Sequence, residues 1–205
     1  VCSRGTVTLG GAANIAQDIS AMGNVVLSGG ATSAPTVNTN GNVTISGGSA
    51  TASVVNAKGN VEVSGGSARV TSVLNSEGNV NWTSRRGANT INANGTVVYT
   101  APNSSTTINS GSNVTLSSNG AVQTLNALGN VTLSGTNAST GVFGNLRGQG
   151  NIVFGNKPTI GNGQVKGTLS RTPAAGQNVV SNASLVVAYT PVSLAAVNPN
   201  IQSAA

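Results

Sequence analysis

Hydrophobic and polar positions alternate along this chain in a short phrase that returns every 17 to 19 residues. The phrase reads apolar–Asn–x–x–Gly–Asn–Val–x–apolar–Ser, as in 55–64, and close copies occupy 37–46 and 125–134. Its glycine lies at 5, 23, 41, 59, 78, 95 and 129, with Ser112 in the place of one of them. A fixed short period predicts a repeat architecture before any single element is assigned.

Each copy predicts a short strand after its Gly-Asn pair, because apolar and polar residues alternate there as side chains do across a strand. The first inward position is valine in every copy, and the second is larger in most. A break such as Gly47-Gly48 follows the strand and reverses the chain. The predicted core columns contain Val25, Leu27, Val43, Ile45, Val61, Val63, Val80, Trp82, Val97, Tyr99, Val114, Leu116, Val131 and Leu133.

Asparagine recurs at two fixed places in the phrase. Coils stacked like neighbouring strands, ~4.8 Å apart, would let each amide donate to one coil and accept from the other, as in cross-β ladders. Simple tolerance of Asn in turns is the alternative explanation. We predict two amide ladders, the first asparagine row (Asn38, Asn56, Asn75, Asn92, Asn109 and Asn126) and the second asparagine row (Asn24, Asn42, Asn60, Asn79, Asn113 and Asn130).

These patterns predict an all-β protein, a single β-solenoid of about eight or nine coils with a two- or three-sided section. The repeats cover 1–155, and 156–177 is predicted to be an irregular linker or cap punctuated by Gly and Pro. The apolar segment 178–205 is predicted to form C-terminal strands for capping or subunit contact. The residues predicted for that contact are Val179, Val180, Leu185, Val186, Val187, Tyr189, Val192, Leu194 and Val197.

Composition supports a solenoid over a disordered chain, since 38% of the residues are hydrophobic while 6% are charged. Nine Lys and Arg against three Asp and Glu give a net charge of +6. The basic residues are scattered, only Arg85 and Arg86 are adjacent, and no aromatic residue is interleaved with them, which argues against a nucleic-acid partner. Weak attraction to an acidic polysaccharide or a cell surface fits this charge better.

Candidate catalytic chemistry is sparse. The chain contains no His, and its carboxylates are Asp18, Glu62 and Glu77, at different places in the repeat. Acid–base or nucleophilic catalysis requires such groups in paired positions, so we predict no enzymatic activity, no metal and no cofactor. Glu77 and Lys58 occupy one column in adjacent coils, which predicts an exposed ion pair of small value.

The single cysteine, Cys2, excludes an internal disulfide. It is interpreted as a lipid attachment point, a link to a second subunit or an inert thiol. The start Val1-Cys2-Ser3 is expected to be a mature terminus after signal removal. The chain contains no apolar run long enough to predict a membrane span.

The tandem phrase Asn-x-x-Gly-Asn-Val-x-Leu-Ser-Gly, over roughly residues 5–155, resembles the repeats of secreted bacterial β-helical adhesins, especially filamentous-haemagglutinin-like proteins. The chain departs from them in its short length, its distinct apolar tail and the lack of a recognisable secretion domain. The resemblance implies a secreted or cell-surface protein with a structural or adhesive role, and no catalytic residue carries over.

We therefore expect a structural subunit of a self-assembling extracellular filament, a homopolymer that stacks head to tail through its solenoid ends and C-terminal strands. A surface adhesin that binds glycans or surfaces is the alternative. Ice binding is a further one, because threonines share two outward columns, although Val54, Val73, Glu62 and Asn81 interrupt them. The threonines concerned are Thr36, Thr90, Thr107 and Thr124 in one column and Thr44, Thr115 and Thr132 in the other.

Overall fold

A computed structural model describes residues 1–102, 106–117, 120–134, 141–155, 158–175 and 177–198. The chain forms a β-solenoid of about 9 turns with ~18-residue coils, which confirms the predicted fold class. The strands are β1 (Cys2–Ser3), β2 (Val7–Leu9), β3 (Ile19–Ala21), β4 (Val25–Ser28), β5 (Ser33–Thr39), β6 (Val43–Ser46), β7 (Thr51–Ala57), β8 (Val61–Val63), β9 (Arg69–Ser76), β10 (Val80–Trp82), β11 (Thr90–Ala93), β12 (Val97–Tyr99), β13 (Thr107–Ser110), β14 (Val114–Leu116), β15 (Ala121–Ala127), β16 (Val131–Leu133), β17 (Gly141–Gly148), β18 (Ile152–Phe154), β19 (Thr159–Val165) and β20 (Gln177–Ser181).

The strands form two parallel sheets, and the chain alternates between them. The odd-numbered strands, together with β20, make the larger sheet of 11 strands. The even-numbered strands from β2 to β18 make the smaller sheet of 9. Like residues stack on like, as where Val43 pairs with Val25 on one side and Val61 on the other. This register is strongly specified, because a slip of one residue would turn every inward side chain to the outside.

The core lies between the two sheets. All fourteen residues of the predicted core columns are at most 1% exposed. A third buried column comes from the larger sheet and contains Ile19, Val37, Val55, Leu74, Ile91, Ile108 and Leu125.

A bend in the long strands lets coils of different length keep one register. In β7 both Ala52 and Val55 are fully buried, so the strand turns a corner between them. The next coil is one residue longer, and the pairing shifts there so that Val70 joins Ala52 while Leu74 joins Val55. The extra residue is absorbed at the corner as a bulge.

The solenoid continues through much of the segment 156–177, where we predicted an irregular linker. β19 extends the larger sheet, and Leu169 forms a bridge to Ile152 of the smaller one. Gly163 stands in the third core column, where a Cβ would lie 2.8 Å from the side chain of Val179. This glycine hides the apolar pattern in the sequence, because the neighbouring valine fills its space. Residues 156, 157 and 176 lie outside the described ones.

The C-terminal segment also differs from the prediction of strands over 178–205. β20 is the strand of this segment, and residues 182–198, here called the strap, begin with a turn at Ala183 and Ser184 and enter neither sheet. Residues 199–205 lie outside the described residues. The strap runs back along the flank of the solenoid, because its residues contact successively earlier coils, first at Asn94 and finally at Asn40.

Candidate functional surfaces

The first asparagine row is a continuous chain of side-chain hydrogen bonds. Asn56 Nδ2 donates to Asn38 Oδ1 at 2.9 Å, and Asn75 Nδ2 donates to Asn56 Oδ1 at 2.8 Å. The same contact joins Asn92, Asn109 and Asn126 in turn at 2.8 to 2.9 Å. Each inner amide thus uses one donor and one acceptor within the row, and a primary amide has a second of each.

The second asparagine row is bonded differently, and the amide-to-amide geometry predicted for it is wrong. Asn24 Oδ1 accepts the backbone N–H of Asn42 at 2.8 Å, and Asn60 and Asn79 follow the same pattern. Asn130 N–H donates to Asn113 Oδ1 at 2.7 Å, while Thr96 stands in the coil between Asn79 and Asn113. These residues lie at the turn, where backbone N–H groups need acceptors that the strand ladder does not supply.

A third row, of buried hydroxyls, was not predicted. Ser76 Oγ donates to the Gly59 carbonyl at 2.9 Å and accepts the N–H of Gly78 at 3.1 Å. Ser110 does the same two coils on, and Thr39 bonds the Gly23 carbonyl two coils before. The signal was present in the sequence, because the residue after the first-row asparagine alternates between a hydroxyl and alanine at Thr39, Ala57, Ser76, Ala93, Ser110 and Ala127.

The strap is held by side chains that reach its backbone. Asn94 accepts the Val192 N–H at 2.7 Å and donates to the Val192 carbonyl at 2.8 Å. Asn40 makes the same pair of contacts with Val197, at 2.7 and 2.9 Å. The Leu194 N–H donates to Glu77 Oε1 at 2.7 Å, and Lys58 Nζ lies 3.7 Å from that oxygen. These side chains provide the hydrogen-bond partners that the backbone of a neighbouring strand would otherwise provide.

Apolar anchors add to these bonds. Leu185 and Val187 of the strap are buried, whereas Val186 between them is 75% exposed. The Tyr189 hydroxyl lies 2.6 Å from Asn94 Oδ1, and burial raises the pKa of this phenol. Its ring lies against Gly111, where a Cβ would be 3.1 Å away.

Of the nine residues predicted for subunit contact, all but Val180 and Val186 are buried or hydrogen-bonded within their own chain. Val179 is buried in the last coil, Val180 is exposed on β20, and the strap residues lie on the flank of the solenoid. The strap covers a side of the molecule, because its backbone bonds to one column of flank side chains. The strap therefore lies away from the solenoid ends, whereas Val179 and Val180 lie on β20 at one end of the larger sheet, and subunit contact stays a prediction.

The two stacked aromatic residues belong to the core. The ring centroids of Trp82 and Tyr99 are 6.0 Å apart with planes at 40°. Trp82 Nε1 donates to the Arg86 carbonyl at 2.6 Å, and the Tyr99 hydroxyl lies 3.0 Å from Thr106 Oγ1. Burial raises the pKa of Tyr99 to about 12, and the hydrogen bond to Thr106 acts in the opposite direction.

One basic cleft lies beside this pair. It has a volume of about 350 Å³ and is called the arginine cleft here. Its lining residues are Arg69, Thr71, Arg85, Arg86, Gly87, Asn89 and Pro102.

The outward threonine columns are mixed surfaces. On the smaller sheet, Thr44 pairs with Glu62, and Glu62 pairs with Asn81. On the larger sheet, Thr90 and Thr107 are adjacent, but Val73 precedes them. Both columns thus carry the interruptions expected from the sequence.

Comparison with known proteins gives no match to a family model, to a curated protein or to a solved structure. Within the described ranges, no group of three His, Cys, Asp or Glu side chains could hold a metal ion. No helix among the residues that the structure describes is long and apolar enough to cross a membrane.

Proposed function

We propose that the protein is a structural subunit of an extracellular filament that grows by head-to-tail stacking of solenoid ends. The main support is the parallel, in-register stacking, which reaches the edge strands β20 and β1 of the larger sheet. All strands in a parallel sheet run the same way, so β20 of one copy has the direction that pairing with β1 of another requires.

The apolar columns also extend to the terminal coils. Val179 of β20 is 5% exposed, while Val7 and Leu9 of β2 continue the two columns of the smaller sheet. Val7 is 7% exposed, so these column ends are already largely buried. The contact would therefore gain mainly strand hydrogen bonds between the open edges.

The edge strands β1, β2 and β20 contain no charged residue, while β18 is covered by the bridge to Leu169 and by Arg171, which lies over Phe154. Charged side chains on edges are a common device against strand addition. A contact between opposite ends is heterologous and does not close on itself, so it produces a filament. An extracellular location is supported by the resemblance of the repeats to those of secreted adhesins.

The test blocks the open edge of β20 without removing a core side chain. Asn182 N–H donates to Val165 at 2.7 Å, so alternation along the strand directs the Ser181 N–H to the open edge. Ser181→Pro removes this N–H and places a ring there, which edge strands tolerate. The hydroxyl bond of Ser181 to Gly167, 2.8 Å long, is lost as well.

Ser181→Ala is the matched control, because it loses that hydroxyl bond but keeps the N–H. We expect wild-type protein and Ser181→Ala to form filaments in light scattering and electron microscopy, and Ser181→Pro to stay monomeric with an unchanged circular dichroism spectrum. A wild-type protein that remains monomeric at high concentration, or equal assembly by the proline variant, contradicts the proposal.

A further inference from the structure

We infer that the arginine cleft binds the anionic groups of an acidic polysaccharide. The site is separate from the solenoid ends, so it does not depend on filament formation. Its position follows from the repeat: Arg69 begins β9, and Arg85 and Arg86 lie in the loop after β10, one coil further on. Coils ~4.8 Å apart bring the three guanidinium groups to one corner of the solenoid, although they look scattered in the sequence.

The loop that carries two of these arginines is anchored. Trp82 Nε1 donates to the Arg86 carbonyl at 2.6 Å, and the Arg86 N–H donates to Ser84 Oγ at 3.3 Å. Ser84 is 1% exposed and its hydroxyl donates to the Ala68 carbonyl of the preceding coil. The backbone is thus fixed before a ligand arrives, which lowers the ordering cost of binding.

Among its described lining residues, the cleft has three positive charges and no carboxylate. The chain has three acidic residues in all. Of these, Glu77 is engaged with Lys58 and the strap, and Glu62 belongs to β8 in the smaller sheet. Guanidinium groups pair with carboxylate and sulfate oxygens through two parallel hydrogen bonds. An anion would therefore relieve the mutual repulsion of the three arginines.

The other lining residues favour a carbohydrate. Thr71 supplies a hydroxyl and Asn89 an amide, both of which can bond to sugar hydroxyl groups. None of the lining residues that the structure describes is aromatic, and the nearby Trp82 and Tyr99 are fully buried. Bases of single-stranded nucleic acid need exposed aromatic platforms, so the cleft suits a charged sugar chain better.

The test measures binding of full-length protein to heparin, which carries sulfates, and to polygalacturonate, which carries carboxylates. The double variant Arg85→Gln/Arg86→Gln removes two charges but keeps the backbone carbonyl that holds Trp82. Arg147→Gln/Lys166→Gln removes two charges on other coils and is the matched control. Circular dichroism and Trp82 fluorescence check that both variants are folded.

We expect the cleft variant to lose at least tenfold in affinity for one or both polymers by isothermal titration calorimetry, and the control to lose less than threefold. The loss of one charge-assisted hydrogen bond lowers affinity about tenfold, which sets this lower bound. The polymer that binds more tightly identifies the anion. Equal losses in both variants, no binding to either polymer, or equally tight binding to single-stranded DNA would overturn the inference.

Discussion

The stacked coils from β3 to β16 and the strap differ in how their backbone N–H and C=O groups find hydrogen-bond partners. In the coils each strand bonds to strands on both sides, and the core side chains are almost fully buried. The strap instead bonds to the side chains of Asn40, Glu77 and Asn94, and Val186 remains largely in solvent. In the coils, repetition places a neighbouring strand beside each strand. The backbone of the strap bonds instead to individual side chains.

This difference teaches how the stability is distributed. A solenoid coil is coupled to both neighbours, so its loss disrupts the core of adjacent coils. The strap can detach as a local unit while the sheets stay intact, since neither sheet contains it. Substitutions in matched residues of the two regions measure that contrast.

The largest contrast is expected between two leucines. Leu74 is fully buried between Val55 and Ile91, and Leu74→Ala should lower the free energy of unfolding by about 2–5 kcal/mol. Leu185→Ala should lower it by less than about 1 kcal/mol, because detachment of the strap relieves the defect. Urea unfolding followed by Trp82 fluorescence compares them. Equal losses would mean that the strap unfolds together with the sheets.

Two tyrosines provide the next contrast, at alkaline pH. The pKa of Tyr99 is raised to about 12 in the folded protein, while an unfolded tyrosine has a pKa of about 10. Above pH 10 the unfolded chain loses this proton first, so stability should fall between pH 10 and 12, by about 2–3 kcal/mol in total.

Tyr99→Phe should remove that part of the alkaline loss, whereas Tyr189→Phe should leave most of it. Urea unfolding between pH 9 and pH 12 measures how the free energy of unfolding of each variant changes with pH. Tyrosinate absorbance follows the titration of the folded protein. An unchanged slope in Tyr99→Phe would show that lysine deprotonation or another tyrosine carries the effect.

A smaller effect is expected in the first asparagine row. Asn75→Ala removes the hydrogen bonds to Asn56 and Asn92, both 2.8 Å long. The two neighbouring amides can turn to water at this half-buried surface, so the cost should be about 1–2 kcal/mol. Thermal unfolding by calorimetry measures it, with the exposed Asn178→Ala as a control that should cost nothing. If Asn75→Ala left the free energy of unfolding unchanged, the hydrogen bonds of this row would not contribute to stability.

The smallest effect on global stability should come from Asn94→Ala, which releases the strap near its middle. It removes both contacts with Val192 and the one with Tyr189. We expect a change below about 1 kcal/mol in unfolding free energy, together with faster hydrogen exchange at Val192 and Leu194. Exchange in β10 and β11 should stay slow. Loss of protection in those strands would show that the strap supports the sheets.

The coils could be predicted from sequence because the period fixes which residues stack. Asn56 and Asn75 share a place in the phrase, so their contact follows from coil stacking alone. The period fixes position but not bonding, since Asn24 Oδ1 can accept from a side chain or a backbone N–H. The choice depends on which turn N–H lacks a strand partner, and the sequence does not contain that geometry.

The strap and the arginine cleft could not be predicted from the repeat period. Asn40, Glu77 and Asn94 recognise main-chain groups, so residues 182–198 need no side-chain pattern that matches them. The spacing between Arg69 and Arg86 equals one coil, but a corner is needed to bring their side chains to one cleft. Contacts that depend on how a corner or flank is shaped leave little periodic signal.

The backward course of the strap has a mechanical consequence. Cys2 and Asn198 line the same cleft of about 480 Å³, so a load applied between these two residues would act at one end of the rod. It would peel the strap contact by contact, first at Asn40 and later at Asn94, because these contacts are loaded one after the other. The released strap of 17 residues would yield roughly 55 Å of slack. The molecule would lengthen under modest force and recover when the flank amides bind the strap again.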